Sequence, residues 1–226
     1  MTPSGTIVYC SREDHAPPQF AACLARLAQR HPDAELIHMI GNDIADSRNQ
    51  AVMQCVGDWV WFIDTDMLFA PKTLQRLLDT GKDVIQVLCL MRHPPNEPVL
   101  YQHSAVQRDP GLSGPPRVVE VQSLGAGGTL YRKRAFEAMP GPWFEGILGR
   151  EDTNFAQKLR AAGIPLFVDL STPVVHLTPM GVRPKYDSKT GTWAVEYVAT
   201  NGIGITAPFA AVPPPMVQLV HELKLA

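Results

Sequence analysis

Charge is scarce in this chain. Only 19% of its 226 residues are charged, and 20 basic against 22 acidic side chains leave a net charge of -2 and a pI near 6.4. So weak and even a balance gives no global case for a nucleic-acid or anionic-membrane partner. Cysteine is scarce too. Cys10, Cys23, Cys55 and Cys89 form no CxxC pair, which leaves a zinc site or a thioredoxin-like motif without support. Each lies in an apolar stretch, where cysteine behaves as a small hydrophobe, in keeping with a reducing compartment. No run of about 18–20 apolar residues occurs, so no membrane span is expected. The opening MTPSGTIVYC lacks the basic region and apolar run of a signal peptide, and a cytoplasmic protein is the expectation. Long low-complexity tracts are absent as well. With 45% hydrophobic residues, the chain suits one well-buried α/β domain and is short for two.

What is present is an alternation of strand and helix signals. Thr6–Cys10 reads as a strand, and Phe20, Cys23, Leu24, Leu27 and Ala28 recur at helical spacing. Glu35–Ile40 reads as a second strand, followed by a helix with Ile44, Arg48, Ala51, Val52 and Cys55 on one face. Trp59–Ile63 is apolar at consecutive positions, as expected of a central strand covered on both faces. A helix opening at Pro71 and a strand over Asp83–Leu90 complete a β-α-β-α-β order that implies a parallel sheet flanked by helices. His93–Gly114 is rich in proline and polar residues and reads as loops around a short strand near Val99–Gln102. Further strands are expected at Val118–Gln122, Gly128–Tyr131, Leu166–Val168 and Val174–His176, with a helix over Glu151–Ala162. Residues 185–197 read as a hairpin turning at Ser188–Gly191. Three prolines at 213–215 precede a terminal helix with Met216, Leu219, Val220 and Leu223 on one side.

The strongest chemical signal is Asp64-Thr65-Asp66, directly after the Trp59–Ile63 strand. Two carboxylates at i and i+2 concentrate negative charge beside apolar structure, and something positive must offset them. A hard divalent cation would do so and keep positions open for substrate phosphates. Alternatively, the two aspartates cap the next helix. Glu151-Asp152 opens a helix, either as functional carboxylates or as stabilisers of its positive end. His176 ends an apolar strand, a place for a structural histidine or for a ligand. Arg48, on an apolar helix face, needs an anionic partner: a nucleotide or an internal carboxylate.

Taken in order, these features resemble the GT-A glycosyltransferases, close to family two and its small stand-alone bacterial and phage-borne members. The segments that carry the resemblance are Ala45–Gln50, Trp61–Met67 with its DxD-type motif, the glycine-rich Leu124–Tyr131 and Trp143–His176. It implies a Rossmann-like mixed central sheet flanked by helices, with residues 1–180 as the glycosyltransferase domain. Residues 1–92 would form the nucleotide-sugar half, 93–180 the acceptor half, and 181–226 a C-terminal extension packed on the same domain. The resemblance also implies roles. Asp66 would bind Mn²⁺ or Mg²⁺ directly with His176 as second ligand, and Asp64 would touch the ribose or the metal's water shell. Ser11, Arg12, Arg48, Asn49 and Thr65 would hold the UDP or GDP part of the donor. Gly127 and Gly128 would let the backbone approach the donor sugar or the acceptor closely, for want of a Cβ. Glu151 would touch sugar hydroxyls, Trp143 would stack on an acceptor ring, and Asp152 would be the general base of an inverting transfer.

Competing readings share parts of this pattern. A nucleotidyltransferase needs a glycine-rich basic loop after the first strand, where this chain has Ser11-Arg12-Glu13-Asp14. In Leu124–Gly128 the glycines precede a strand, whereas dinucleotide binding wants a helix there. A two-metal phosphoesterase wants more carboxylates and histidines than converge here. A nucleotide-sugar-binding module without turnover stays open, as does the acceptor: saccharide, protein, metabolite or modified DNA base.

Overall fold

A computed structural model describes residues 4–11, 16–41, 43–92, 96–146, 150–177, 181–198 and 204–208. The expected terminal helix beyond residue 213, and Arg12, lie outside the described residues.

Among the described residues, twelve strands and five helices follow one another: β1 (Gly5–Ser11), α1 (Pro18–Arg30), β2 (Ala34–Ile40), α2 (Ile44–Gln54), β3 (Trp59–Asp64), β4 (Met67–Leu68), α3 (Thr73–Asp79), β5 (Val84–Leu88), β6 (Val118–Val121), β7 (Thr129–Arg132), α4 (Lys133–Glu137), α5 (Glu151–Ala161), β8 (Leu166–Pro173), β9 (Val175–His176), β10 (Gly181–Asp187), β11 (Thr192–Val198) and β12 (Gly204–Pro208). Seven strands form the central sheet in the order β2-β1-β3-β7-β5-β8-β6. β3 shows why the sheet is central. Val60 and Phe62 enter one core cluster, while Trp59, Trp61 and Ile63 enter the other, because successive side chains leave a strand on opposite faces. Helices α1 and α3 pack on the Trp61 side through Phe20, Cys23, Leu27, Leu74 and Leu77. α2, α4 and α5 cover the other side through Ala51, Phe136, Phe155 and Leu159.

The sheet is not the plain parallel run that the early β-α-β-α-β order implies. β7 lies between β3 and β5 and is antiparallel to both. An antiparallel strand in that slot begins at the edge where β3 and β5 end, so the glycine-rich Gly125–Gly128 is delivered to the same edge as Asp64. The anticipated strand near Val99–Gln102 is reduced to isolated bridges, Leu90 with Pro98 and Tyr101 with Ser123.

A second, antiparallel sheet runs β12-β11-β10-β9-β4. β10 and β11 form a hairpin whose turn is closed by Gly191 N–H donating to Asp187 O at 2.8 Å. Gly191, at φ +69°, supplies the left-handed residue. The pairing of β4 with β9 sets Met67 opposite His176, and Leu177 N–H donates to Asp66 O at 2.6 Å. Among the described residues, no helix is long and apolar enough to cross a membrane.

Candidate functional site

The carboxyl edge of the central sheet is where ligands enter folds of this class. Cys10 pairs with Asp64 across β1 and β3, so the strand ends lie level. A cleft of about 390 Å³ opens there, with Asp64, Gln86, Gly125, Gly127, Arg108, Arg150, Asp152 and His176 among its walls. The aspartates do not cap α3, whose start carries no side-chain cap. They belong instead to a charged cluster. Arg48, projecting from α2 and buried, pairs with Glu151 Oε1 and lies 3.4 Å from Asp64 Oδ1. Burial works against its charge, but Asp64, Glu151 and Asp152 outweigh it and hold the guanidinium above its ordinary pKa. Asp64 is densely surrounded, though 40% of its side chain stays open toward the cleft. That surrounding raises its pKa against the pull of Arg48. Asp152 is raised as well, chiefly by burial.

Asp66 sits in a different setting. Its Oδ2 accepts from Arg92 at 2.7 Å. Its Oδ1 is buried with no hydrogen-bond donor among the described residues. His176 Nε2 stands 3.4 Å from that oxygen, at ion-pair distance but without hydrogen-bond direction. His176 Nδ1 donates to the Leu90 carbonyl at 2.7 Å, which fixes the ring and turns Nε2 toward Asp66. Burial pushes Asp66 up, but His176 and Arg92 outweigh it and the carboxyl titrates low. Burial pushes His176 down, yet Asp66, the Leu90 carbonyl and Asp64 raise it. An orphaned carboxylate oxygen beside an oriented imidazole nitrogen fits a small cation. The described residues nonetheless contain no cluster of three histidine, cysteine or carboxylate side chains able to hold one unaided.

Residues 12–138 match the sequence profile of Glycosyl transferase family 2, more than half of the chain. The chain belongs to that family. It is a glycosyltransferase with a GT-A fold. Among solved structures it is similar to A197 from STIV, at 15% identity and a TM-score of 0.56, over 93% of this chain and 97% of that one; at such identity the likeness is one of fold. S. aureus TarS 1–349, solved with UDP-GlcNAc, is 12% identical with a TM-score of 0.43, over 73% of this chain and 54% of that one. No curated protein matches the sequence. The family match stops short of Glu151, Asp152 and His176.

The fold brings Asp64, Gly127, Asp152 and His176 to one cleft, with Asp66 against His176. Other residues are placed elsewhere. Glu151, expected on sugar hydroxyls, is buried against Arg48, and Arg48, expected on the nucleotide, is committed to carboxylates. Asn49 is a backbone clamp. Its Oδ1 accepts from Trp143 and Phe144 N–H at 3.0 Å each, and its Nδ2 donates to Phe144 O at 2.7 Å. Trp143 is not in the cleft at all. It packs edge-on against Phe136 and donates from Nε1 to the Phe136 carbonyl, lining a separate groove beside Val52 and Met139. Ser11 ends β1, its Oγ 2.7 Å from His38 Nε2, and Thr65 lies in the turn between β3 and β4. At both glycines the protein's own side chains come close. A Cβ on Gly127 would lie 2.1 Å from Asp64 Oδ2, and one on Gly128 would lie 2.3 Å from Val87 Cγ2.

Sequence reasoning missed Arg92, Arg108, Arg150 and Gln86. Only Gln86 had a local signal, as the one polar residue within the apolar run Val84–Leu88.

Proposed function

We propose that this glycosyltransferase moves a sugar from a nucleoside-diphosphate donor to an acceptor hydroxyl, with a divalent cation held by Asp66 and His176 and with inversion at the anomeric carbon. The observation that carries the reading is the buried Asp66 Oδ1, without a hydrogen-bond donor among the described residues and 3.4 Å from His176 Nε2, at the cleft that His176 and Asp152 line. The cation, Mn²⁺ or Mg²⁺, would supply positive charge to the departing diphosphate. Asp64 would face the donor ribose. Asp152 would accept the acceptor hydroxyl's proton as the oxygen bonds to the anomeric carbon and the nucleoside diphosphate leaves from the opposite face. Its raised pKa makes it a better base for that step. Arg48 neutralises Glu151 beneath Asp152, so the base need not carry the whole negative charge of the α5 start.

The donor's nucleotide is UDP or GDP in this reading, and the acceptor is a hydroxyl-bearing saccharide, protein or metabolite, or a modified DNA base. Titration calorimetry with UDP, GDP and their sugar conjugates, with and without Mn²⁺, tests it on the wild type and on Asp66→Ala. Mn²⁺-dependent binding of one nucleotide, lost in Asp66→Ala, is the expected result. Absence of nucleotide binding at any metal concentration would refute the donor site.

A further inference from the structure

β5 is apolar at every position but one. Val84, Ile85, Val87 and Leu88 are fully buried, and Gln86 among them is 1% exposed. The alternation of the strand puts Gln86 on the face of Val84 and Leu88, which pack in one cluster with Phe155 and Leu159 of α5. Its Nε2 donates to the Gly127 carbonyl at 3.2 Å. Its Oε1 has no hydrogen-bond donor among the described residues. A buried amide oxygen left unpaired is costly, and methionine or leucine would fill the position without that cost. Such an orphan calls for an explanation, and the residue that carries it is one of those that line the cleft.

Its neighbours say where along the wall. Asp64 Oδ2 packs against Gly127, whose carbonyl Gln86 holds. On the other side comes Gly125, where a Cβ would lie 3.3 Å from Gln86 Nε2 and 3.4 Å from Asp152 Oδ2. Gln86 is thus placed between Asp64 and Asp152. In the reading above, which this step rests on, Asp64 faces the donor ribose and Asp152 faces the acceptor hydroxyl. The group that spans the interval is the sugar being transferred.

We propose that Gln86 is a specificity-determining residue of the donor-sugar subsite, its amide oxygen accepting a hydrogen bond from one hydroxyl of the transferred sugar. The two glycines that flank it add no side chain of their own to the wall, and the Gln86 amide is held on the Gly127 carbonyl. A sugar that offers a hydroxyl at that point satisfies the orphan, whereas one lacking it leaves the orphan unpaired. Discrimination by an unpaired buried polar group is the stronger form of selectivity.

The test compares wild type with Gln86→Met by titration calorimetry in Mn²⁺, using UDP-glucose, UDP-galactose, UDP-N-acetylglucosamine and GDP-mannose beside free UDP and GDP. The conjugate preferred by the wild type should bind Gln86→Met about 2- to 12-fold more weakly, as one neutral hydrogen bond dictates. Its free nucleoside diphosphate should bind both proteins alike. Equal loss for conjugate and free nucleotide would overturn the proposal, since Gln86 would then only support the loop. Unchanged binding of the conjugate would overturn it too. Deoxy analogues of the preferred conjugate, titrated on the wild type, give a measurement independent of whether Gln86→Met folds. One position should weaken by the same factor, and a series with no such position overturns the assignment. Failure of the wild type to bind any nucleotide would instead bring down the donor-site reading itself.

Discussion

Replacing Arg48 by methionine removes a buried guanidinium, with its contact over the Phe144 ring at 5.8 Å, and keeps the packing of the side-chain stem. What remains is the carboxylate of Glu151, only 8% exposed and paired with nothing else that the structure shows. Breaking a buried ion pair from one side costs about 3–5 kcal/mol, because the surviving charge keeps its desolvation penalty and loses its partner. Asp64 loses a partner as well, but 40% of its side chain is open to the cleft and water can compensate there. Against a domain stability of about 5–15 kcal/mol, the loss is large. Urea denaturation followed by tryptophan fluorescence should show it as a lower midpoint at unchanged slope, with the buried Trp59 and Trp61 as reporters. The double replacement Arg48→Met with Glu151→Met should recover much of the loss, since an apolar pair of similar volume carries no charge to solvate. A single replacement that costs under about 1 kcal/mol would refute the reasoning. So would a double replacement no more stable than the single one.

Other perturbations follow from the same contacts. Gly127→Ala would place a Cβ 2.1 Å from Asp64 Oδ2, so Asp64 or the loop must move. Transfer should fall by about 100-fold, the scale of a 1 Å misplacement, while circular dichroism stays native. Asp152→Asn should lower kcat by about 10²–10⁴-fold. Because burial raises the wild-type Asp152 pKa, activity should rise with pH through a value above the ordinary carboxylate range and then level off. A pH-rate profile with no acid limb would remove Asp152 as the base. Asp169, 1% exposed, accepts from Arg76 Nε and Ser171 N–H at 2.9 Å each and from the Ser171 and Thr172 hydroxyls. Burial opposes its charge, but these donors depress its pKa. Its carboxylate therefore stabilises the fold above the unfolded value of about 3.9 and ceases to as pH falls through the lower folded value. Asp169→Asn should cost about 1–3 kcal/mol at pH 7 and progressively less below pH 4, measured by urea melts across pH.

The elements that the sequence made legible are those whose signal is local. Trp59–Ile63 is apolar throughout because both faces of β3 are covered, and α1, α2 and α5 show their buried stripes at helical spacing. Asp43 caps α2 by accepting from Ala45 and Asp46 N–H. What stayed hidden depends on partners distant in sequence. Nothing in Thr129–Arg132 says that it slots between β3 and β5, since a strand buried on both faces looks alike in any slot. β4 and β9 are two residues each, too short for any periodicity, yet their pairing is what sets His176 against Asp66. Asn49 and Trp143 read as ligand-binding types, but their polar atoms are spent on backbone between residues 136 and 144. The glycines were legible as places of close approach. Which protein atoms approach was not: Asp64 Oδ2 stands at Gly127 and Val87 Cγ2 at Gly128.

The DxD-type pair poses a charge problem that sequence alone states as one problem, and the fold divides it in two. Asp64 is answered from within by Arg48, a buried residue on α2 that cannot leave without exposing Glu151. Asp66 is answered from the surface by Arg92, half exposed and free to exchange with solvent, and by His176. Of the two aspartates, only Asp66 keeps a buried oxygen with no donor among the described residues. A cation arriving at the pair would find Asp64 already compensated and pressed against Gly127, but Asp66 with no hydrogen-bond donor on one buried oxygen and an oriented imidazole 3.4 Å from it. That asymmetry favours Asp66 as the direct ligand and Asp64 as a group that faces the donor. It gives the two aspartates separate mutational signatures: Asp66→Ala should abolish Mn²⁺-dependent nucleotide binding, while Asp64→Asn should retain the cation effect and weaken the nucleotide itself.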